Sequence, residues 1–288
     1  MLYLFLFFTV IFIVVTLIAY LGSNYLTARR KPDASASPAD YGLNFEDVEF
    51  RSGDGTTLRG WYVPAVKSTR TLIICPGANG SIDADAVFLP WFHNLDLNML
   101  IFDWRAHGRS GGSTVTLGYD ERYDLIAAVG YAKARGADKI GVLGFSMGGA
   151  VAISTAAVCP DIAAVAADSA FVHVLTAVAT GLAERGLPDG LSYSFARLIL
   201  MVEGWRLGKD LFEADPVRWI DRVAPRPILL MYGERDLYAP RAEVELLYRR
   251  AGEPKSIWRV PDAAHRELHL KQPDEYRQRL TEFFTRQL

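Results

Sequence analysis

Residues 139–149, KIGVLGFSMGG, decide the fold of this chain. The first part, residues 139–143, is a short apolar run typical of a buried parallel strand. The pattern G-x-S-x-G follows at residues 144–148, and the residues from Met147 onward can start a helix. A serine on a strained turn between strand and helix is presented at the end of a sheet, facing the N-terminus of the helix. The stretch therefore predicts a strand, a tight turn carrying Ser146, and a helix.

The same pattern occurs a second time at residues 108–112, so context has to choose between the two serines. Residues 111–114, after Ser110, are typical of a loop, and the next helical pattern starts several residues later. Ser110 lacks the helix that the chemistry requires, so Ser146 is the candidate nucleophile. A tight turn without chemistry is the structural alternative for Ser146.

Strand and helix patterns alternate on both sides of this stretch. Residues 45–50 and 56–63 alternate apolar and polar side chains around Gly53-Asp54-Gly55, which predicts an antiparallel hairpin. Apolar runs predict buried parallel strands at residues 71–75, 98–102, 139–144, 162–167, 227–232 and 256–260. Helical periodicity covers residues 83–93, 119–134, 147–158, 241–251 and 274–286. This order predicts an α/β fold with a mostly parallel, eight-stranded sheet and helices on both faces.

The N-terminal segment is strongly apolar. Residues 1–24 carry no charged side chain, and residues 2–21 match the roughly 20 residues that cross a bilayer as a helix. A signal peptide and a buried core helix are the alternatives, but a signal peptide carries basic residues before its apolar stretch and none stands there. We expect a single-pass transmembrane anchor at residues 1–22. Arg29, Arg30 and Lys31 follow it, which favours a cytoplasmic location for the rest of the chain.

Composition indicates a linker and narrows the class of partner and of ligand. Residues 31–42 are small, polar and punctuated by proline, so residues 23–43 are predicted to be a linker before a domain at 44–288. The 288-residue chain has 31 Lys and Arg against 33 Asp and Glu, which gives no reason to expect nucleic acid as a partner. Aromatic residues make up 12% of it, which excludes a disordered chain. Cys75 and Cys159 lack Cys or His neighbours at metal-binding spacing, which argues against a zinc site.

A serine nucleophile needs a base, which a carboxylate orients in turn. His265 lies in the loop after the last predicted strand, His269 is the reserve candidate, and His173 precedes every suitable acid. Asp236 follows the next-to-last strand and is chosen over Glu234, for which a solvated loop carboxylate is the simpler interpretation. A turn or N-cap aspartate is the structural alternative for Asp236.

The oxyanion of such a reaction needs preorganised N–H donors. One is the amide after the nucleophile, that of Met147, and the other comes from the loop after the third strand, residues 75–80. The glycines of this loop let the backbone approach the reacting carbon, and Ala78 carries the expected second amide. Cys75 has no adjoining histidine and is interpreted as a buried residue at the strand end.

These residues resemble the α/β-hydrolase superfamily over nearly all of the chain after the linker. The similarity is carried by residues 144–149 (GFSMGG), 103–110 (DWRAHGRS) and 233–236 (GERD), and by His265. Residues 103–110 are similar to the family stretch D-x-R-G-H-G-x-S, which implies structural roles for Ser110 and His107. Within the superfamily the chain looks most like single-pass membrane-tethered serine hydrolases and the serine-aminopeptidase-like branch.

Two positions depart from the family pattern. Pro76 stands where the oxyanion loop usually has histidine, which removes a side-chain contact and a backbone donor. The amide expected to act belongs to Ala78, so the departure concerns the geometry of the loop more than the activity. Ala106 stands where the family usually has glycine.

The resemblance also implies a helical cap at residues 171–218. Most of its apolar and aromatic side chains would pack the cap onto the body, and a surplus would line an acyl pocket or touch the bilayer. We therefore predict a serine hydrolase that cleaves an acyl ester or thioester, lipophilic and presented at a membrane, through an acyl-enzyme. The mechanism requires no metal or cofactor, and no obligate protein partner is evident. An exopeptidase or amidase and a catalytically idle, membrane-tethered binding module are the alternatives.

Overall fold

Eight strands form one sheet in the computed structural model, which describes residues 1–32 and 36–288. The strands are β1 Glu46–Arg51, β2 Thr57–Val63, β3 Arg70–Cys75, β4 Asn98–Phe102, β5 Lys139–Phe145, β6 Ile162–Asp168, β7 Ile228–Gly233 and β8 Lys255–Val260. Their order across the sheet is β1-β2-β4-β3-β5-β6-β7-β8. Strand β2 is antiparallel to both of its neighbours, β1 and β4. The six strands β3 to β8 run parallel to one another. The mostly parallel sheet predicted from the sequence is confirmed.

Helices cover both faces of this sheet. The α-helices are α1 Leu2–Thr27, α2 Leu89–His93, α3 Glu121–Ala134, α4 Met147–Ala156, α5 Val174–Ala183, α6 Asp189–Leu207, α7 Arg241–Arg250, α8 Leu268–Lys271 and α9 Pro273–Gln287. Residues of α3, α4 and α7 belong to one apolar core, and residues of α2 and α9 to the other. Successive strand side chains alternate between the cores: Leu100 packs into the first and Ile101 into the second.

The chain order places two loops side by side at one edge of the sheet. Strand β3 lies between β4 and β5, and Cys75 at its end is paired with Gly144 near the end of β5. The connections that leave β3 and β5 therefore start next to each other at the carboxyl ends of the strands. In open α/β sheets this is where ligands bind.

Residues 83–93 differ from the single helix predicted for them. The segment Ile82–Phe88 is a 3-10 helix, and α2 begins only at Leu89. Pro90 has no N–H to donate to the carbonyl oxygen of Ala86, so an α-helix cannot continue through this position. The Leu89 amide donates to that oxygen instead, in the tighter 3-10 turn.

The segment expected to form a cap, residues 171–218, is helical. It lies between β6 and β7 and contains α5 and α6, which pack against each other. Two short 3-10 helices, Leu211–Ala214 and Pro216–Arg218, lead back to the body.

Helix α1 continues to Thr27, whereas the sequence placed the end of the anchor at residue 22. It is long and apolar enough to cross a membrane, with a mean hydropathy of 2.9, and its side chains before Ala19 are exposed or half-buried. That exposure argues against a core helix. Residues 28–30 of the predicted linker are bonded to the body: the Arg30 amide donates to the Ala106 carbonyl oxygen at 2.8 Å. The middle of that linker, residues 33–35, lies outside the described residues.

Candidate active site

Ser146 occupies a strained turn between β5 and α4. Its φ of +53° is in the left-handed region, which a serine adopts only when its surroundings impose it. The backbone at Gly148 lies very close to the end of β3, because a Cβ at that position would lie 2.3 Å from the carbonyl oxygen of Cys75. A Cβ at Gly144 would likewise lie 2.3 Å from the Gly148 carbonyl oxygen. The two glycines of the motif thus allow the tight turn that presents the serine at the ends of the strands.

A continuous chain of hydrogen bonds starts at this serine. Nε2 of His265 lies 2.9 Å from the Ser146 Oγ, and Nδ1 of His265 lies 2.8 Å from Oδ2 of Asp236. The other oxygen of Asp236 accepts the amides of Tyr238 at 2.8 Å and Ala239 at 3.2 Å. The carboxylate is buried and its orientation is held by these bonds. The structure brings together the serine, histidine and aspartate that the sequence predicts, in the predicted order.

The other candidates from the sequence lie elsewhere. The ring of His269 packs against Phe88 at 5.2 Å, and burial lowers the pKa of this histidine. Glu234 is exposed. His173 pairs with Asp215 at the beginning of the cap, 3.0 Å from Nδ1 to Oδ2. None of these three candidates belongs to the hydrogen-bond chain of the serine.

Ser110, in the second G-x-S-x-G pattern, has a structural role. Its hydroxyl donates to the Asp103 carbonyl oxygen at 2.6 Å and accepts the Arg59 amide at 2.8 Å. The carboxylate of Asp103 accepts the amides of Ile82 at 2.9 Å and Arg109 at 2.8 Å. Residues 103–110 therefore connect β2, through Arg59, to the segment that begins at Ile82.

The predicted oxyanion residues lie beside the serine. Ala78 and Met147 line the same cavity as Ser146 and His265. Met147 is the first residue of α4, so its amide has no acceptor within the helix and can donate outward.

Side chains from the loop after β4 contact the backbone of the loop after β3, which contains Pro76. The Trp104 indole N–H donates to the Pro76 carbonyl oxygen at 2.9 Å, and Nε2 of His107 lies 3.1 Å from the Ala78 carbonyl oxygen. His107 thus supports the loop, in the structural role that the family resemblance implies. Burial raises the pKa of the Cys75 thiol well above its ordinary value, so Cys75 remains a protonated strand residue.

A largely apolar cavity extends from the serine under the cap. It measures about 1090 Å³ including the open space at its mouth. Val174 and Val178 of α5 form one side, and Leu26 of α1 lies on its wall. Among the described residues that line it, charged side chains are contributed by Arg30 and Arg185, and none is a carboxylate.

Several supporting residues carried no signal that sequence reasoning used. The ring of Tyr238 lies against that of His265, with centroids 4.6 Å apart. Arg266, next to the histidine, donates to the buried Asp85 carboxylate at 2.6 Å, and its amide donates to the Ser169 hydroxyl at 3.1 Å. Arg266 and Asp85 are 181 positions apart, so no local pattern indicates that they pair.

Within residues 1–32 and 36–288, no group of three or more His, Cys, Asp or Glu side chains is placed to hold a metal ion.

Comparisons with known proteins agree with this fold. The family profile of the alpha/beta hydrolase fold matches residues 70–208. The chain is 31% identical to the uncharacterised protein YqkD of Bacillus subtilis over 250 residues, which cover 83% of this chain and 81% of that protein. It is 28% identical to the uncharacterised protein YfhR of Escherichia coli, covering 83% and 80% of the two chains. Among solved structures, the esterase Pf2001 of Pyrococcus furiosus superposes with a TM-score of 0.75 and 29% identity, covering 90% of this chain and 98% of the esterase.

Proposed function

This chain belongs to the α/β-hydrolase family, and we propose that it is a serine esterase that cleaves a lipophilic acyl ester or thioester through an acyl-enzyme on Ser146. The family and its esterase neighbour support hydrolase activity. The assignment of Ser146 as the catalytic nucleophile depends on one observation, the hydrogen-bond chain from Ser146 through His265 to Asp236 at 2.9 and 2.8 Å. A serine hydroxyl is a weak nucleophile, and such a chain is how enzymes activate it.

In the proposed reaction His265 acts first as base and then as acid. Nε2 takes the Ser146 proton while Oγ attacks the substrate carbonyl carbon, and Asp236 holds the ring and stabilises its positive charge. The amides of Ala78 and Met147 donate to the oxyanion. The ester C–O or thioester C–S bond then breaks as His265 protonates the departing oxygen or sulfur. Water, deprotonated by the same ring, attacks the acyl-enzyme, and the bond to Ser146 Oγ breaks to release the acid and the free serine.

The cavity favours an ester over a peptide with a free N-terminus. An exopeptidase that recognises a substrate ammonium group needs a carboxylate close to the serine. Among the described residues that line the cavity the charged groups are the cations of Arg30 and Arg185, which repel an ammonium group. The apolar side chains that form most of the lining suit an acyl chain.

We also propose that α1 is a retained single-pass anchor and that the catalytic body lies on the cytoplasmic side. A signal peptide is removed after translocation, whereas the end of α1 is packed into the folded body: Ala19, Ser23 and Thr27 are buried. The positive charges at Arg29 to Lys31 support the cytoplasmic side. A protease-sensitive tag after Leu288 should be protected in intact cells and cut after lysis; cutting in intact cells would overturn the orientation.

The test of the activity is active-site labelling of the full chain in detergent with a fluorophosphonate probe. The probe should label the wild type and leave Ser146→Ala unlabelled, because only an activated serine reacts. Ser110→Ala is the matched control, since Ser110 stands in the same motif without a base, and its folded fraction should label like the wild type. No labelling of the wild type would overturn the proposal in favour of the idle binding module, and equal labelling of Ser146→Ala would assign the nucleophile to another residue.

Substrate class is tested on the same protein. We expect hydrolysis of p-nitrophenyl acyl esters and little or no hydrolysis of aminoacyl anilides. Faster cleavage of the anilides would replace the esterase by the exopeptidase.

A further inference from the structure

The end of α1 is docked on the cap. Ala19, Ser23 and Thr27, spaced by four residues, form one buried face of the helix. The Ser23 hydroxyl donates to Glu203 of α6, and Arg206 donates to the same carboxylate at 2.8 Å. We call residues 19–30 the docked segment.

The docking continues past the end of the helix. The Val115 amide donates to the Thr27 carbonyl oxygen at 2.9 Å, and Ala28 forms a β-bridge with Thr114. The guanidinium of Arg29 donates to the Gly108 carbonyl oxygen at 2.8 Å. The docked segment is therefore fixed both to the cap and to the loop after β4, and it has a defined position relative to Ser146.

This position makes α1 a wall of the cavity above the serine. Gly22, Tyr25 and Leu26 line that cavity together with Val178 and Leu182 of α5 and Ile199 of α6. The helix packs closely at this point, because a Cβ at Gly22 would lie 2.7 Å from the Ile199 Cδ1. The apolar space beside Ser146 is thus lined both by cap helices and by the N-terminal helix.

We propose that the docked segment of α1 is a wall of the acyl-binding pocket and determines the length of acyl chain that the enzyme accepts. This inference deepens the proposed esterase function and rests on it. The occupant is the acyl chain of the substrate, because the wall contributed by α1 includes the apolar side chain of Leu26 and lies in the same cavity as the Ser146 hydroxyl. An acyl carbonyl held at the serine directs its hydrocarbon tail into this space.

The same geometry places the pocket at the bilayer surface. Residues 2–21 rise about 30 Å as a helix, which is the thickness of the hydrocarbon layer. The residues of the docked segment after Leu21 then lie at the interface, beside the pocket that they line. Trp205 of α6, which is 84% exposed next to Arg206, is a residue type that prefers this interface.

The test compares two identical substitutions on one helix. Leu26→Trp adds bulk to the pocket wall, whereas Leu17→Trp adds it to the exposed part of α1, where the side chain of Leu17 is 54% exposed. The full chain in detergent micelles is assayed with p-nitrophenyl butyrate, octanoate and laurate, and each rate is normalised to fluorophosphonate-labelled sites. We expect Leu26→Trp to lower kcat/KM for laurate relative to butyrate by about tenfold or more. Leu17→Trp should keep the wild-type ratio within about twofold.

A second variant keeps the inference testable if Leu26→Trp does not fold. Leu26→Ala enlarges the pocket and should raise the laurate-to-butyrate ratio above that of the wild type. A laurate-to-butyrate ratio unchanged by whichever Leu26 variants carry the label, or shifted equally by Leu17→Trp, would overturn the role of α1. Failure of the esterase proposal is distinct, since the wild type would then either not react with the probe or cleave aminoacyl anilides faster than p-nitrophenyl esters.

Discussion

Asp236 can be tested against a second carboxylate in the same loop. Asp236 is buried and faces Nδ1 of His265 at 2.8 Å, whereas Glu234, two positions earlier, is exposed. Asp236→Asn keeps the shape of the side chain but favours the tautomer whose Nε2 cannot accept the serine proton. We expect kcat for p-nitrophenyl butyrate to fall by about 10³–10⁴-fold.

Glu234→Gln is the matched control, and its kcat should stay within about twofold of the wild type. Both variants should keep the wild-type melting curve, so that the difference in kcat reflects the chemical step rather than a loss of folded protein. A greater loss in Glu234→Gln than in Asp236→Asn would reassign the acid.

The proposed reacting residues can be singled out in the sequence because local patterns mark them. Ser146 directly follows an apolar strand run, Asp236 and His265 lie in the loops after the last two strands, and parallel strands bring their carboxyl ends to one edge. Their supports could not be predicted in this way. Tyr238 lies against the His265 ring, and Asp85 holds the neighbouring arginine from another part of the chain. Such contacts depend on side-chain packing between distant segments, which periodicity does not encode.

At the scale of elements, the beginning of α5 is joined to the segment that returns from the cap. One oxygen of Asp215 accepts the Val174 amide at 2.7 Å, and the other lies 3.0 Å from Nδ1 of His173. The hydrogen bond with Asp215 raises the pKa of His173 above its ordinary value of 6.5. The pair therefore stabilises the folded state when the imidazole is charged.

The sign of the pH dependence follows from that raised pKa. Below pH 6.5 the imidazole is protonated in both the folded and the unfolded chain, and the contribution of the pair is complete. As the pH rises through the folded-state pKa, the contribution is lost. The Tm difference between wild type and His173→Gln should accordingly be larger at about pH 6 than at about pH 9.

Asp215→Asn should remove the same pH dependence, since it retains an acceptor for the Val174 amide but has no charge. Melting curves of the three proteins in one detergent, recorded across this pH range, give the comparison. A Tm difference for His173→Gln that does not change with pH would contradict the assignment.

Element boundaries show where sequence patterns are sufficient. The strands were predictable to within a residue or two, and the apolar runs of β3 to β7, which are buried on both faces, have sharp ends. Residues 83–93 were predicted as one helix, and Pro90 divides them into a 3-10 turn and α2. The end of α1 was misjudged for a different reason: its polar partner, Glu203, is 180 positions from Ser23.

At the scale of the whole molecule, the contact between α1 and α6 joins the N-terminal helix to the α/β-hydrolase body. The Glu203 carboxylate accepts from both Ser23 and Arg206, and its side chain is fully buried. Glu203→Met removes the carboxylate that accepts from both groups, and leaves the Arg206 guanidinium without a counter-charge and with only the Ser23 hydroxyl oxygen as an acceptor among the contacts of the described residues. We expect a loss of roughly 1–3 kcal/mol, less than for a fully buried pair because the Arg206 side chain is 25% exposed.

The corresponding fall in Tm is roughly 2–4 °C per kcal/mol, measured by thermal unfolding of the full chain in one detergent. Replacing both partners, in the double variant Glu203→Met and Arg206→Met, removes the unpaired charge and should recover most of the loss, because apolar side chains of similar size can fill the contact. A single variant as stable as the wild type would mean that this pair does not hold α1 on the cap. A double variant as unstable as the single one would assign the loss to packing rather than to the buried charge.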